Sequence, residues 1–222
     1  MRSIENPVKS LINNLIITFL FTLVGLFIGS LLPLSVIRLM RNAFTVLILV
    51  SFIMALFFRR PLGGGRRRGL AMSGVYAYAL FLGITLFPSI SYYFNVLGVS
   101  TVFGALIGTI AFMSIIALFT VKKGTDSIFR LGPILMALTF GIMIISLLQV
   151  FFGFFQGVSL IMIIGSMLIF SLWTVYDVYR FKNSQSYIRT SSDLAPFVLD
   201  IYIDFINLFM DLLRLMARFK DE

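Results

Sequence analysis

Four aspartates carry most of the chemistry open to this chain. Three lie in one apolar stretch, FVLDIYIDFINLFMDLLRLM (197–216), as Asp200, Asp204 and Asp211, and the fourth, Asp177, lies in FSLWTVYDVYRFK (170–182). An acid at the centre of a membrane helix costs roughly 2.5–3.5 kcal/mol on insertion scales, so acids in such a setting call for a reason. A helix turns about 100° per residue, which puts Asp200 and Asp204 about 40° apart and returns Asp211 to within about 20° of Asp204. Asn207 lies near the same line, with Asp193 at one end and Arg214 and Arg218 at the other. Two carboxylates in one buried site cannot both ionise cheaply, and they can share a proton. Their oxygens also suit a hard cation such as Ca²⁺. The chain has no histidine and no cysteine. Zinc sites, disulfides and histidine-based triads are therefore excluded, and proton sensing falls to the carboxylates.

A polar stripe of this kind cannot face lipid; ionisable groups in spans face the bundle interior or a water-filled cavity. The helix that carries it is expected at the centre of the molecule. Asn207 reads as helix glue, an interhelical hydrogen bond of about 0.6 kcal/mol. Asp211, beside Arg214 near the far end, reads as half of a surface ion pair. Asp200 and Asp204 are left as the functional acids, since glue does not require acids.

The elements that must position these groups follow from composition. Apolar residues make up 59% of the chain and charged residues 12%, with a mean hydropathy of +1.03. A soluble domain is nearer half apolar and about a quarter charged. The chain is expected to be an all-α polytopic membrane protein, one integral-membrane domain over 1–222 with no separate water-soluble domain. A helical span needs about 20 apolar residues. Seven segments qualify, at about 11–31, 42–58, 72–92, 100–121, 131–152, 158–178 and 194–216, with the seventh surrounded by the other six. The second is short and extends back through Leu34 to Met40 as a turn of helix. The first is too long for a signal-peptide core and reads as a span.

Thirteen of the eighteen basic residues (Arg2, Lys9, Arg59, Arg60, Arg66, Arg67, Arg68, Lys122, Lys123, Arg130, Arg180, Lys182 and Arg189) fall on one side of the expected membrane. The positive-inside rule then puts the N-terminus in the cytoplasm and the C-terminus outside a bacterial-type inner membrane. The net charge of +9 does not indicate nucleic acid. Much of it sits in the RRPLGGGRRRG loop, where anionic lipid headgroups account for it. Arg59 and Arg60 directly abut the apolar second segment and can turn inward.

Asp177 ends the sixth segment on the same side from which the seventh starts, so antiparallel packing brings it to the depth of Asp200 and Asp204. Arg59 or Arg60, at that depth, can pair with the ionised acids and let go when they are protonated.

Three motifs then resemble the transmembrane Bax inhibitor motif family: GITLFP (83–88), FSLWTVYDVY (170–179) and IYIDFINLF (201–209). The resemblance covers most of the chain and is nearest to the bacterial YetJ-like calcium-leak members. It implies seven helices with the seventh in the middle, and a pH-sensitive Ca²⁺ leak governed by a di-aspartyl sensor between helices six and seven. By motif, the sensor falls on Asp177 and Asp204, which would also be the Ca²⁺ contacts, and an arginine latch at the end of helix two falls on Arg59 or Arg60. The chain departs from the pattern in having no carboxylate from Ala43 to Phe58, and in carrying Asp200 and Asp211 where neutral residues are expected. Asp200 thus reads as an extra pore acid.

The resemblance implies Ca²⁺ as the transported ion, protons and lipid as partners, and no cofactor. An intramembrane aspartyl protease shares the Tyr176-Asp177 half of its motif, but its second acid follows a glycine, whereas Asp204 sits in YIDF and no glycine occurs from Leu194 to Glu222. An enzyme is therefore not expected. A proton-coupled transporter using the same acids, with Pro88 as a kink, is the alternative, as is a membrane-embedded regulator of other membrane proteins.

Overall fold

The computed structural model describes residues 4–43, 71–122, 131–152 and 160–220, and among these the regular structure is all helical. The helices are α1 (Pro7–Leu31), α2 (34–43), α3 (Met72–Leu97), α4 (Val99–Lys122), α5 (Leu131–Phe152), α6 (Leu160–Ser184) and α7 (Ser191–Lys220), with a 3₁₀ turn at Gln185–Tyr187. The expected helix from Leu34 to Met40 is present within α2. The rest of the second expected span, with Arg59 and Arg60, lies outside the described residues.

Several helices outrun the apolar stretch that marks them in the sequence. Hydropathy registers the lipid-crossing part, whereas capping chemistry sets the hydrogen-bonded ends. Asn6 accepts from the Lys9 amide at 3.0 Å and Pro7 follows it, so α1 starts ahead of Leu11. Thr190 and Asp193 close the first turn of α7 reciprocally: the Asp193 carboxylate accepts from the Thr190 amide at 2.8 Å, and the Asp193 amide donates to the Thr190 hydroxyl at 3.3 Å. α3 runs on through Pro88 to Leu97. Gly98, with φ +84°, is the single residue before α4, because only glycine takes that left-handed conformation without strain.

α1, α3, α4 and α6 are long and apolar enough to cross a membrane, and α5 contributes a shorter apolar stretch, Leu131–Ile142. α7 is as long but carries the aspartates and arginines of its stripe. On α1, Ile12, Ile16, Leu20, Leu23 and Phe27 form one exposed apolar face. Water would disfavour so continuous a patch, and lipid covers it without cost.

The described residues pack as two compact units, Met1–Tyr92 with Thr190–Pro196, and Tyr93–Arg189 with Phe197–Glu222. In the first, α1 and α3 meet backbone to backbone. A Cβ added to Gly25 would stand 2.2 Å from the Leu80 carbonyl oxygen, and one added to Gly83 would stand 2.2 Å from that of Thr22. Lipid supplies no hydrophobic drive between helices, so small residues that allow such close approach carry the packing. Below this contact the Tyr76 hydroxyl donates to Asn14 Oδ1 at 2.5 Å, and Phe21 stacks on the Tyr76 ring. Buried Thr18 and Thr22 donate back to the carbonyls of Asn14 and Thr18, which satisfies both hydroxyls. In the second unit, α4 and α5 both pack against α6.

Gly25→Leu or Gly83→Leu should force α1 and α3 apart, at a cost of about 1–3 kcal/mol or more. Thermal unfolding in detergent, read by size-exclusion chromatography, should show a lower midpoint for either variant, whereas Gly104→Leu, where an added Cβ meets nothing within 4 Å, should be near wild type.

Candidate functional site: the acidic seam between α6 and α7

α6 and α7 run antiparallel, joined by the short 3₁₀ turn, and their facing sides carry a polar seam in the second unit. Three steps of it are in register. Nearest the turn, Arg180 of α6 makes an ion pair with Asp200 of α7. Three residues back on α6 and four on along α7, Asp177 and Asp204 occupy the same electrostatic cluster, with Thr174 the side-chain hydrogen-bond partner of Asp204. Further on, Ser166 donates to the Asp211 carboxylate at 2.5 Å. α6 supplies this face because Ser166, Thr174 and Asp177 recur at helical spacing along it.

The burial is steep. Asp177, Asp204 and Asp211 are 3%, 4% and 2% exposed, while the Asp200 side chain keeps 34%. The carboxylate stripe thus turns away from the surroundings. Along α7, residues 204–206 and 208–211 are all buried, while Ile203 and Asn207 are half-buried and Arg214 is exposed.

Arg180 is held at several points. Its guanidinium pairs with Asp200, stands 3.7 Å from Asp177 Oδ1, and lies over the Phe197 ring at 5.0 Å. Nevertheless three buried atoms here lack a hydrogen-bond partner among the described residues: Asp177 Oδ1, Asp204 Oδ2 and Arg180 Nε. With all three acids ionised, the cluster would hold three negative charges against this arginine. Low dielectric makes such an imbalance expensive, which is the condition under which carboxylates exchange protons or attract a cation. Among the described residues no group of three or more acids is arranged as a metal cage. Asp200 is turned to Arg180.

Asp177, Asp200 and Asp204 are therefore brought together. Asn207 and Asp211 belong to the same helix but differ from expectation. The Asn207 amide donates to the Ile203 carbonyl of its own helix at 2.9 Å and to no other helix among the described residues. Asp211 does pair with Arg214, at 2.7 Å, but it is buried and bridged to α6 rather than lying at the surface. Side-chain packing, invisible to helical phase alone, decides both. Arg180, Thr174 and Ser166 were not singled out as partners of the seam. The spacing of Asp177 and Arg180 and the antiparallel register were the available signals.

A polytopic helical bundle with lipid-facing apolar faces and buried carboxylates defines an integral membrane protein. The chain belongs to the Bax inhibitor family: residues 8–221 match the family described as inhibitor of apoptosis-promoting Bax1. It is 28% identical over 150 residues to an uncharacterized protein of Borreliella burgdorferi, covering 65% of this chain and 62% of the relative. It is 25% identical over 157 residues to an uncharacterized protein of Helicobacter pylori strain J99, covering 69% of this chain and 64% of the relative. The matched region thus spans less than two thirds of either relative's length.

Ser166→Ala should leave Asp211 with one fewer donor and lower stability by about 0.5–2 kcal/mol, in the range for a hydrogen bond to a charged group or across membrane helices. Ser166→Thr should retain most of it, as read by thermal unfolding in detergent.

Proposed function

We propose that this chain is a pH-sensitive calcium leak channel of a bacterial-type inner membrane, in which Asp177 and Asp204 form the proton sensor. One observation carries this reading: two almost fully buried carboxylates on facing helices, in one electrostatic cluster, each with an oxygen that has no hydrogen-bond partner among the described residues. Such a pair has a use for a proton or a passing hard cation that a structural ion pair would not have. Ca²⁺ is the cargo here, not a resident metal. The burial of most of α7 between Asp204 and Asp211 supports a seven-span bundle with that helix at its centre, and the distribution of basic residues supports an N-terminus in the cytoplasm and a C-terminus outside. Arg59 or Arg60, outside the described residues, remains the proposed latch on the ionised pair.

Protonation has two opposed effects in this scheme. It removes the negative charge that attracts Ca²⁺, and it releases the arginine latch. Asparagine mimics the protonated form of aspartate in charge and shape. Proteoliposomes loaded with a Ca²⁺ indicator and holding the wild-type protein should therefore show a flux that changes between alkaline and mildly acidic pH. Asp177→Asn/Asp204→Asn should give a flat profile near the wild-type acidic limit. A double variant that keeps the wild-type profile would remove the sensor assignment. Absence of flux above protein-free liposomes at any pH would instead favour a proton-coupled transporter or a regulator of other membrane proteins.

A further inference from the structure

The Arg180–Asp200 pair stands beside the sensor acids and has no part in the scheme above. Asp200 lies one turn from Asp204 on α7, and Arg180 one turn from Asp177 on α6. The guanidinium has two carboxylates within ion-pair reach and hydrogen-bonds one. It is paired with Asp200, while Asp177 Oδ1 waits at 3.7 Å, beyond hydrogen-bond distance. Both Asp177 Oδ1 and Arg180 Nε are buried and lack a hydrogen bond among the described residues. A shift of less than about 1 Å would bring the 3.7 Å contact to the ordinary charge-assisted length of about 2.7–2.9 Å. The Phe197 ring lies under the guanidinium, 5.0 Å from its centre.

We infer that Asp200 is a positioning residue whose task is to hold Arg180 off Asp177, so that Asp177 stays free to act with Asp204. The extra acid of α7 is in this account not another charge along an ion path. It is the counter-charge of an arginine that would otherwise capture the sensor. The two helices contribute one half each to this clamp, so the arrangement also fixes the register of α6 against α7. Removing Asp200 alone leaves a half-buried guanidinium without its partner, and the nearest carboxylate with a vacant oxygen is Asp177. Removing Arg180 alone leaves three acids with no cation among the described residues. Removing both leaves the net charge of the cluster unchanged, with Asp177 and Asp204 in place.

The functional half of this inference rests on the leak reading, and the pairing half does not, so two readouts are needed. The first is thermal unfolding of the purified protein in detergent, in a mutant cycle. In the wild-type background, Arg180→Gln and Asp200→Asn should each lower the midpoint, and the double variant should lower it by less than their sum. Asp177→Asn should be coupled weakly to Arg180→Gln in wild type and strongly in the Asp200→Asn background, because the guanidinium has changed partner. If the Asp177–Arg180 coupling is the same with and without Asp200, the partner exchange does not occur and the inference fails, whatever the protein transports.

The second readout is Ca²⁺ flux in proteoliposomes. Asp200→Asn should reduce flux and its pH response several-fold, Asp200→Glu should retain both, and Arg180→Gln/Asp200→Asn should recover them. Recovery in a variant that lacks both charges is not what a merely structural pair or a pore-lining acid would give. If the double variant is as impaired as Asp200→Asn while the stability cycle shows the exchange, Asp200 acts on flux as an acid in its own right and the positioning role is overturned. If wild-type protein shows no flux, the leak reading fails and the stability cycle alone decides the clamp.

Discussion

Charge in a low-dielectric interior governs this molecule. A helix that carries Asp200, Asp204 and Asp211 among phenylalanines and leucines is unstable against lipid and tolerable only where other polar groups meet it. α6 meets that condition. It presents Arg180, Asp177, Thr174 and Ser166 along one face, in antiparallel register with the acids of α7. Asp200 pairs with Arg180 and Asp211 with Arg214. Asp204 has a hydroxyl. The gradient along the seam, from ion-paired ends to an under-compensated middle, is what distinguishes Asp177 and Asp204 from their neighbours.

The rest of the described structure leaves that seam undisturbed by keeping its own polar groups local. Threonines on α1 and α4 donate back to carbonyls of their own helix, as with Thr109 to Ala105 at 2.9 Å and Thr120 to Ile116 at 2.8 Å. Lys182 and Lys220 reach helix-end carbonyls, of Val121 at 2.6 Å and Val96 at 2.5 Å, where the dipole favours a cation. The α1–α3 contact relies on glycine and backbone approach rather than on charge. The scarcity of charge elsewhere gives the α6–α7 cluster its influence, since no nearby acid or base among the described residues offers Asp204 an ion pair.

Much of this was legible in the chain. Helix existence followed from apolar runs of membrane-spanning length, and the α7 stripe followed from helical phase. The ends of α1 and α7 were displaced because caps such as Asn6 and the Thr190–Asp193 pair lie outside the apolar runs. Asn207 and Asp211 departed from expectation for a different reason. Phase says which side of a helix a residue occupies, and it does not say whether its polar atoms will find a partner in their own helix, as Asn207 does, or on a neighbour, as Asp211 does with Ser166.

By itself, the sequence determined the all-helical membrane class, the carboxylate-only chemistry and the set of acids available, because hydropathy, residue inventory and the 3.6-residue period are properties of the chain alone. Tertiary structure decided which of those acids are compensated. Arg180 is as near in sequence to Asp177 as an ion-pairing helix neighbour should be, yet its hydrogen bond goes to Asp200 across the seam while Asp177 stands at 3.7 Å. Partner choice in a buried cluster depends on differences of an ångström in where a guanidinium lies, and those are set by the packing of α6 on α7 and by the Phe197 ring beneath it.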